Sequence, residues 1–294
     1  MNCLCNSADI CALLFSSGLR QTALIADNFT YRKFTQHSTG GDKLALQALI
    51  FDVDGTLADT ERDGHRVAFN LAFREFGLNW DWNVELYGKL LAVTGGKERI
   101  RFFVEYFLKD YDMPADFDAM VAEMHKTKTR HYTEMLSGGL IPVRPGVKRL
   151  LEEARQSGLR LAIATTTTPD NVTALLKYSL AEDAADWFEV IAAGDIVPAK
   201  KPAPDIYFWA MEKMNLGPAD CLAFEDSENG LKSSLGAGLK TLITINDYTA
   251  DHDFEGALAV LSDLGEPGNA CQVFSGDMRG RSYVDIPLLR QWHE

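Results

Sequence analysis

The stretch Leu49-Ile50-Phe51-Asp52-Val53-Asp54-Gly55-Thr56-Leu57-Ala58-Asp59-Thr60 decides the fold. A short apolar run leads into two acids one residue apart, and Gly-Thr follows at once. The apolar run reads as a buried parallel strand bounded by a turn. Alternate side chains of a strand share a face, so Asp52 and Asp54 are expected to point the same way at its carboxyl end. That end is where open α/β sheets place ligands. Two like charges so close resist ionising unless a cation sits between them. The plainer alternative, a solvated Asp pair in a turn, fits poorly with buried-type residues before the pair and Gly-Thr-Leu after it.

Outward from this stretch the pattern is first helical. Leu44–Phe51 is the first expected strand. Phe69, Ala72, Phe73 and Phe76 then repeat at helical spacing, as do Ile100, Phe103, Val104, Phe107 and Leu108. Pro114 opens a third long helix to about Met135. Between the first two helices lie Trp80-Asp81-Trp82 and Tyr87, read as core aromatics. After Pro142 and Pro145, helices alternate with strands expected at Leu159–Ala164, Phe188–Ala193, Cys221–Phe224, Lys240–Ile245 and, shorter, Ala257–Leu261. Helices are expected around Val147–Ala154, Asn171–Tyr178, Pro204–Met214 and Gly230–Leu235. Strands joined by helices imply right-handed crossovers and a parallel sheet. The fold class is therefore α/β: a Rossmann-like parallel core over residues 45–60 and 141–250, with an inserted all-helical cap at 61–140. Hinges are expected near 59–64 and 138–145. Residues 251–294 read as a C-terminal extension with few signals.

Residues 1–44 lack periodicity and are nearly balanced in charge. They read either as a disordered extension or as a plastid-type transit segment, and the acids and scarce Arg count against the second. The corresponding localisation is cytoplasmic, or the plastid stroma if the segment targets the chain. The net charge of −13 over 294 residues argues against nucleic acid and disfavours anionic membrane surfaces. No apolar run approaches the ~18 residues of a membrane span. Five cysteines with no paired spacing read as free thiols in a reducing compartment.

The strand ends carry the chemistry. The second ends in Thr165, followed by Thr166, Thr167 and Thr168, just before a helix start at Asp170. Hydroxyls and helix amides there could meet an anion, or simply form an N-cap. The loop Ala199-Lys200-Lys201-Pro202-Ala203-Pro204-Asp205 is stiffened by two prolines and can hold a lysine in place, although alone it reads equally as a solvated Lys pair. The fourth strand ends in Glu225-Asp226-Ser227, again two acids or a cap. Together these features supply a carboxylate nucleophile, a hydroxyl, a cation and a second acidic pair. Oxygen-only ligands suit a hard cation, and Mg²⁺ fits best because it keeps waters and joins phosphate to one or two carboxylates.

The order D-x-D-G-T, Thr after a strand, K-P-x-P-D and E-D-S resembles the haloacid dehalogenase-like phosphatases with a helical cap, over roughly residues 46–250. Within that superfamily the chain is similar to the CbbY-type phosphatases, which hydrolyse xylulose-1,5-bisphosphate, an inhibitor of Rubisco in the Calvin cycle. Asp59-Thr60-Glu61, Thr94-Gly95-Gly96-Lys97-Glu98-Arg99-Ile100 and Ala193-Gly194-Asp195 carry this finer likeness. One departure is that bacterial relatives place a His twelve residues after the nucleophile, where this chain has Gly64 with His65 following.

The resemblance implies Asp52 as nucleophile, Asp54 as acid–base, Thr165 as a phosphoryl donor and Lys201, rather than Lys200, as the catalytic lysine. It implies Mg²⁺ held by Asp52, the Asp54 backbone carbonyl, Asp226 and Glu225. Candidate substrate contacts are Glu61, His65, Tyr87, Lys97, Arg99, Thr166 and Thr167. Gly95-Gly96 lets the backbone approach a ligand, so Lys97 could meet a second, non-reacting phosphate. For Lys97 and Arg99 the alternative is surface charge at a helix start, and for Glu61 and His65 it is hinge structure. The expected activity is a Mg²⁺-dependent sugar (bis)phosphate phosphatase working through an aspartyl-phosphate, as a monomer on a small phosphorylated sugar. The alternatives are β-phosphoglucomutase-like phosphotransfer and a non-catalytic phosphosugar-binding regulator.

Overall fold

The computed structural model describes residues 45–93 and 95–294. The readings made on residues 1–44 and on Thr94 lie outside the described residues. Seven strands form one sheet: β1 (Ala48–Phe51), β2 (Arg160–Thr165), β3 (Val190–Ala193), β4 (Cys221–Glu225), β5 (Lys240–Thr244), β6 (Ala259–Leu261) and β7 (Val273–Ser275). Their order is β3-β2-β1-β4-β5-β6-β7. Every pairing is parallel except β6 with β7.

β1 is central, and all four of its residues are buried. Its alternation splits the core. Leu49 and Phe51 face one apolar cluster with Leu150, Leu151 and Leu222. Ala48 and Ile50 face another with Ile206, Ala210 and Met211. This two-sided burial explains why the strand carries no polar residue until Asp52.

Nine helices lie among the described residues. α1 (Arg66–Glu75), α2 (Val84–Leu90), α3 (Gly96–Phe107) and α4 (Phe117–Ser137) precede β2, as the periodicity predicts except for α2, whose seven residues are too few to show a period. α1 continues directly from a π-helical turn, Glu61–His65. Phe69, Phe73, Trp80, Trp82 and Phe103 pack on one another with ring centroids 4.7–6.0 Å apart, so they are core aromatics as read. These helices are not apolarly separate from the sheet. Ala68, Tyr132, Leu136 and Ile141 belong to the same cluster as Leu57, Ala58 and Val147. The two connecting segments touch, with Ala58 bridging Val143 and the Arg144 N–H donating to the Leu57 carbonyl at 2.9 Å.

α5 (Val147–Gln156), α6 (Pro169–Leu175), α7 (Asp205–Met214), α8 (Glu228–Gly236) and α9 (Ile286–His293) flank the sheet. The reading of 251–294 as an extension needs correction. β6 and β7 add to the sheet, and Leu264, Val284, Ile286, Leu288, Leu289 and Trp292 enter the larger core cluster. Arg149 fastens this region by donating to the Gly265 and Val284 carbonyls, both at 2.9 Å. β6 lies within the short strand expected at Ala257–Leu261, whereas β7 has only three residues and α9 is reached through loops, so neither gives a local signal. Cys221 and Cys271 are free thiols. Among the described residues, no helix is long and apolar enough to cross a membrane.

Candidate active site

The carboxyl ends of β1, β2, β4 and β5 converge. β1 stops at Phe51, and the Asp52 N–H donates to the Phe224 carbonyl at 3.0 Å, which ties the first acid to β4. The chain then turns, with Val53 O accepting from Thr56 and Leu57 and with Gly55 at φ +88°. Strand alternation therefore does not extend to Asp54, and the expectation that both carboxylates face one cation is corrected. Asp52 groups with Glu225 and Asp226, all buried. Asp54 groups with Glu61 and His65.

Lys201 joins the first group. Its Nζ donates to Asp52 Oδ1 at 2.7 Å and to Glu225 Oε1 at 2.5 Å. Glu225 Oε1 also accepts from the buried Tyr207 hydroxyl. Lys200 pairs instead with Asp195 at 2.9 Å, so the Lys-Lys pair splits as read. Burial works against the Lys201 charge, but Asp52 and Glu225 outweigh it and raise its pKa. Burial pushes Asp52 up to about 7 against the pull of Lys201, with Glu225 and Asp54 adding to the rise. Burial, Asp52 and Glu225 likewise hold Asp226 well above the usual carboxylate range.

One ammonium thus reaches two of three buried carboxylates, and among the described residues the buried Glu225 Oε2 has no hydrogen-bond partner. The donors are oxygen only. This set fits a hard divalent cation, which would answer both the excess negative charge and the orphaned oxygen. Asp226 Oδ2 accepts from Asn246 Nδ2 at 2.7 Å.

Asp54 is held differently. Thr60 Oγ1 donates to its Oδ1, and His65 Nε2 lies 3.1 Å from the same oxygen. Burial opposes the charge of Asp54, but His65, Thr60 and Lys128 outweigh it and hold its pKa at about 2. His65 Nδ1 in turn meets Lys128 Nζ at 2.8 Å. The π-helical turn settles which residue of the Gly64-His65 pair enters the site. Gly64 is packed so closely that an added Cβ would stand 2.7 Å from Ile141 and 2.9 Å from Tyr132, while His65 turns to Asp54. π-turns of this kind recur at functional sites.

Thr165 is buried, and its Oγ1 accepts from the Thr167 N–H at 3.4 Å, leaving its own O–H to donate. α6 begins at Pro169, which has no N–H, and the Asn171 N–H goes to Thr168 Oγ1. The helix start therefore offers fewer free amides than expected, and Thr166 and Thr167 are half-buried beside it. Thr167 Oγ1 accepts from Asn171 Nδ2 at 3.1 Å. Glu61 accepts from the Tyr87 hydroxyl, which accepts from Arg99 Nη1 at 2.8 Å. Arg99 is buried in this contact rather than lying on the surface, and Lys97 is exposed. A cavity of ≈ 270 Å³ lies against Gly55, Glu61, Asn246 and Tyr248.

Four groups escaped the sequence reading: Lys128, Arg144, Tyr207 and Asn246. Lys128 and Tyr207 sit inside helical patterns that conceal them. The Arg144 guanidinium donates to the Gly55, Thr244, Ile245 and Ser262 carbonyls, and nothing local marks it. Asn246 stands at the end of a fifth strand, the position that the other four strand ends pointed to.

Residues 46–238 match the family of haloacid dehalogenase-like hydrolases. This chain belongs to the haloacid dehalogenase-like hydrolases. Among its similar family members, the plasmid CbbY protein of Cupriavidus necator is 45% identical over 248 residues, covering 84% of this chain and 97% of that protein. CbbY of Rhodobacter capsulatus is 49% identical over 221 residues, covering 75% and 95%. A crystal structure of a CbbY variant from Rhodobacter sphaeroides in complex with xylulose-1,5-bisphosphate is 42% identical, with a TM-score of 0.70, covering 76% of this chain and 96% of that one. The carboxylate site and these relatives make this family member an enzyme of the phosphatase kind.

Proposed function

We propose that the chain is a Mg²⁺-dependent sugar-phosphate phosphatase whose substrate is xylulose-1,5-bisphosphate. The observation that carries the chemistry is Lys201 bridging Asp52 and Glu225 at buried strand ends, with Asp54 held apart by Thr60 and His65. The substrate is drawn from the Rhodobacter sphaeroides CbbY complex, which nearly the whole of that chain's length supports.

In this reading Asp52 attacks phosphorus and forms an aspartyl-phosphate, which splits one hard step into two. Lys201 occupies Oδ1, so Oδ2 is the attacking oxygen. Lys201 stays charged, pulls Asp52 toward its ionised form against burial and meets the charge of the transferred group. Mg²⁺ held by Asp52, Glu225, Asp226 and the Asp54 carbonyl would neutralise phosphoryl charge and align the group for in-line transfer. Thr165 donates its free O–H to a phosphoryl oxygen. Asp54 protonates the leaving sugar oxygen and then takes a proton from the attacking water. At rest Asp54 is a carboxylate, so its proton arrives with the substrate's phosphate or through His65, whose Nε2 proton passes to Asp54 as Nδ1 takes one from Lys128 Nζ.

The helices around Glu61, Tyr87 and Arg99 read as a cap, residues 61–140, over the core. Lys97 has no hydrogen bond or ion pair among the described residues and would meet the second phosphate. The same reading keeps a monomer, cytoplasmic or in the plastid stroma if residues 1–44 are a targeting segment.

Phosphate release across a panel of sugar mono- and bisphosphates tests the proposal. Xylulose-1,5-bisphosphate should be turned over in preference to the others, and EDTA should abolish release until Mg²⁺ is restored. Conversion of β-glucose-1-phosphate to glucose-6-phosphate without phosphate release would replace it with the mutase reading. Equal rates on every sugar phosphate would remove the substrate assignment.

A further inference from the structure

Asp226 is the acid with the least protein support in its group: Lys201 reaches Asp52 and Glu225 but not Asp226. Its one hydrogen bond among the described residues comes from Asn246, whose Nδ2 donates to Oδ2 at 2.7 Å. The other end of that amide is also occupied. Asn246 Oδ1 accepts from the Tyr248 N–H at 2.9 Å, so the amide cannot flip without facing one donor with another and one acceptor with another. The backbone is pinned as well. The Asn246 N–H donates to Thr249 Oγ1 at 3.0 Å, and its carbonyl accepts from the Thr249 N–H at 3.1 Å.

Space is reserved for the pair. An added Cβ at Gly55 would stand 2.2 Å from Asp226 Oδ2 and 2.7 Å from Asn246 Nδ2. The glycine that follows Asp54 is therefore needed twice, for its positive φ and for the room it leaves. Tyr248, next to the pin, packs edge-on against Tyr87 with ring centroids 6.0 Å apart, so the loop after β5 stands between Asp226 and α2.

We infer that Asn246 is a positioning residue for the cation. It occupies Asp226 Oδ2 with an N–H donor, fixes the carboxylate plane and leaves Oδ1 to ligate. A ligand oriented in this way loses less freedom when the cation binds. This rests on the metal-dependent reading above, and goes beyond it by assigning a role to a strand end outside the four motifs.

The test is metal affinity without substrate. Mn²⁺ binding to the full chain, read by electron paramagnetic resonance, should weaken roughly tenfold or more in Asn246→Ala, as loss of partners behind metal ligands does elsewhere. Thr249→Val removes only the acceptor of the Asn246 backbone N–H and leaves the side-chain amide on Asp226, so it should lower the melting temperature and weaken Mn²⁺ affinity clearly less than Asn246→Ala does. A wild-type measurement stands if Asn246→Ala does not fold. The Asn246 side-chain amide resonance should shift on adding Mg²⁺, and a resonance that stays put overturns the inference. So does a folded Asn246→Ala with wild-type Mn²⁺ affinity, or a Thr249→Val that weakens it equally. A wild-type chain that binds no Mn²⁺ at all defeats the metal-dependent reading itself, which separates the two failures.

Discussion

Lys128 Nζ lies 2.8 Å from His65 Nδ1, although the two residues are 63 positions apart in the chain. An ammonium only donates, so His65 Nδ1 must accept, and the ring proton is placed on Nε2, toward Asp54. Lys128 is buried over the rings of Phe69 and Tyr132, at 5.2 and 5.1 Å. Burial lowers its pKa to about 8, with Glu61 and Asp54 opposing. A lysine whose folded pKa is depressed costs stability at neutral pH, and the cost disappears as pH rises from about 8 toward the ordinary value. Lys128→Met should therefore lower kcat by roughly tenfold or more while leaving the melting temperature unchanged or higher. Unchanged kcat with a lower melting temperature would show that the lysine is structural only.

Asp52→Asn should remove turnover by roughly 10⁴-fold or more, because the carboxylate is the attacking group. The fold should survive. Lys201 keeps Glu225 as its partner, and one of three crowded carboxylates becomes neutral. Circular dichroism melts and single-turnover phosphate release measure the two halves. Retained turnover would sink the covalent mechanism.

Arg144 holds the carboxyl end of the sheet together from inside. Its guanidinium serves the carbonyls of Gly55 beside the first motif, of Thr244 and Ile245 at the end of β5, and of Ser262 after β6. Arg144→Met fills much of the space but leaves several buried acceptors unpaired, at a cost of about 3–5 kcal/mol. Urea denaturation should report this loss, and activity should fall with it because Gly55 moves. A loss below about 1 kcal/mol would mean that water replaces the guanidinium without penalty.

His125 gives a pH dependence of stability. Burial, with Lys128 and Lys97 adding to it, lowers its pKa to about 4. Between pH 4 and 6.5 the unfolded chain binds a proton that the folded chain does not. Stability should therefore fall as pH drops through that window, by up to about 3 kcal/mol. Melts at pH 7, 5.5 and 4.5 should show a steeper decline in the wild type than in His125→Gln. Parallel declines would assign the acid lability to other groups.

Much of this architecture is legible because its signals are local. β1 is recognisable from four apolar residues before Asp52, and each later motif sits where an apolar run ends. Lys201 is distinguishable from Lys200 because a proline follows it. Three kinds of element are not legible. α2 is too short to show a period. β7 and α9 are brief elements whose placement depends on loops that fold back onto β6 and α5. Lys128 and Arg144 look like ordinary surface cations until other segments close over them, and nothing in their neighbours reports that.

The sequence by itself determined the strand ends and the reactive residues on them, since a strand's burial and its polar terminus are written in neighbouring positions. Only the tertiary structure decided how those residues share their partners. Asp52 and Asp54 are alike in sequence, one residue apart. They differ because the turn at Gly55 sends one carboxylate to Lys201 and the other to His65, and both of those partners arrive from distant segments. A charge's role depends on which opposite charge is brought within a few ångströms of it in a buried place, and that is set by packing rather than by order along the chain.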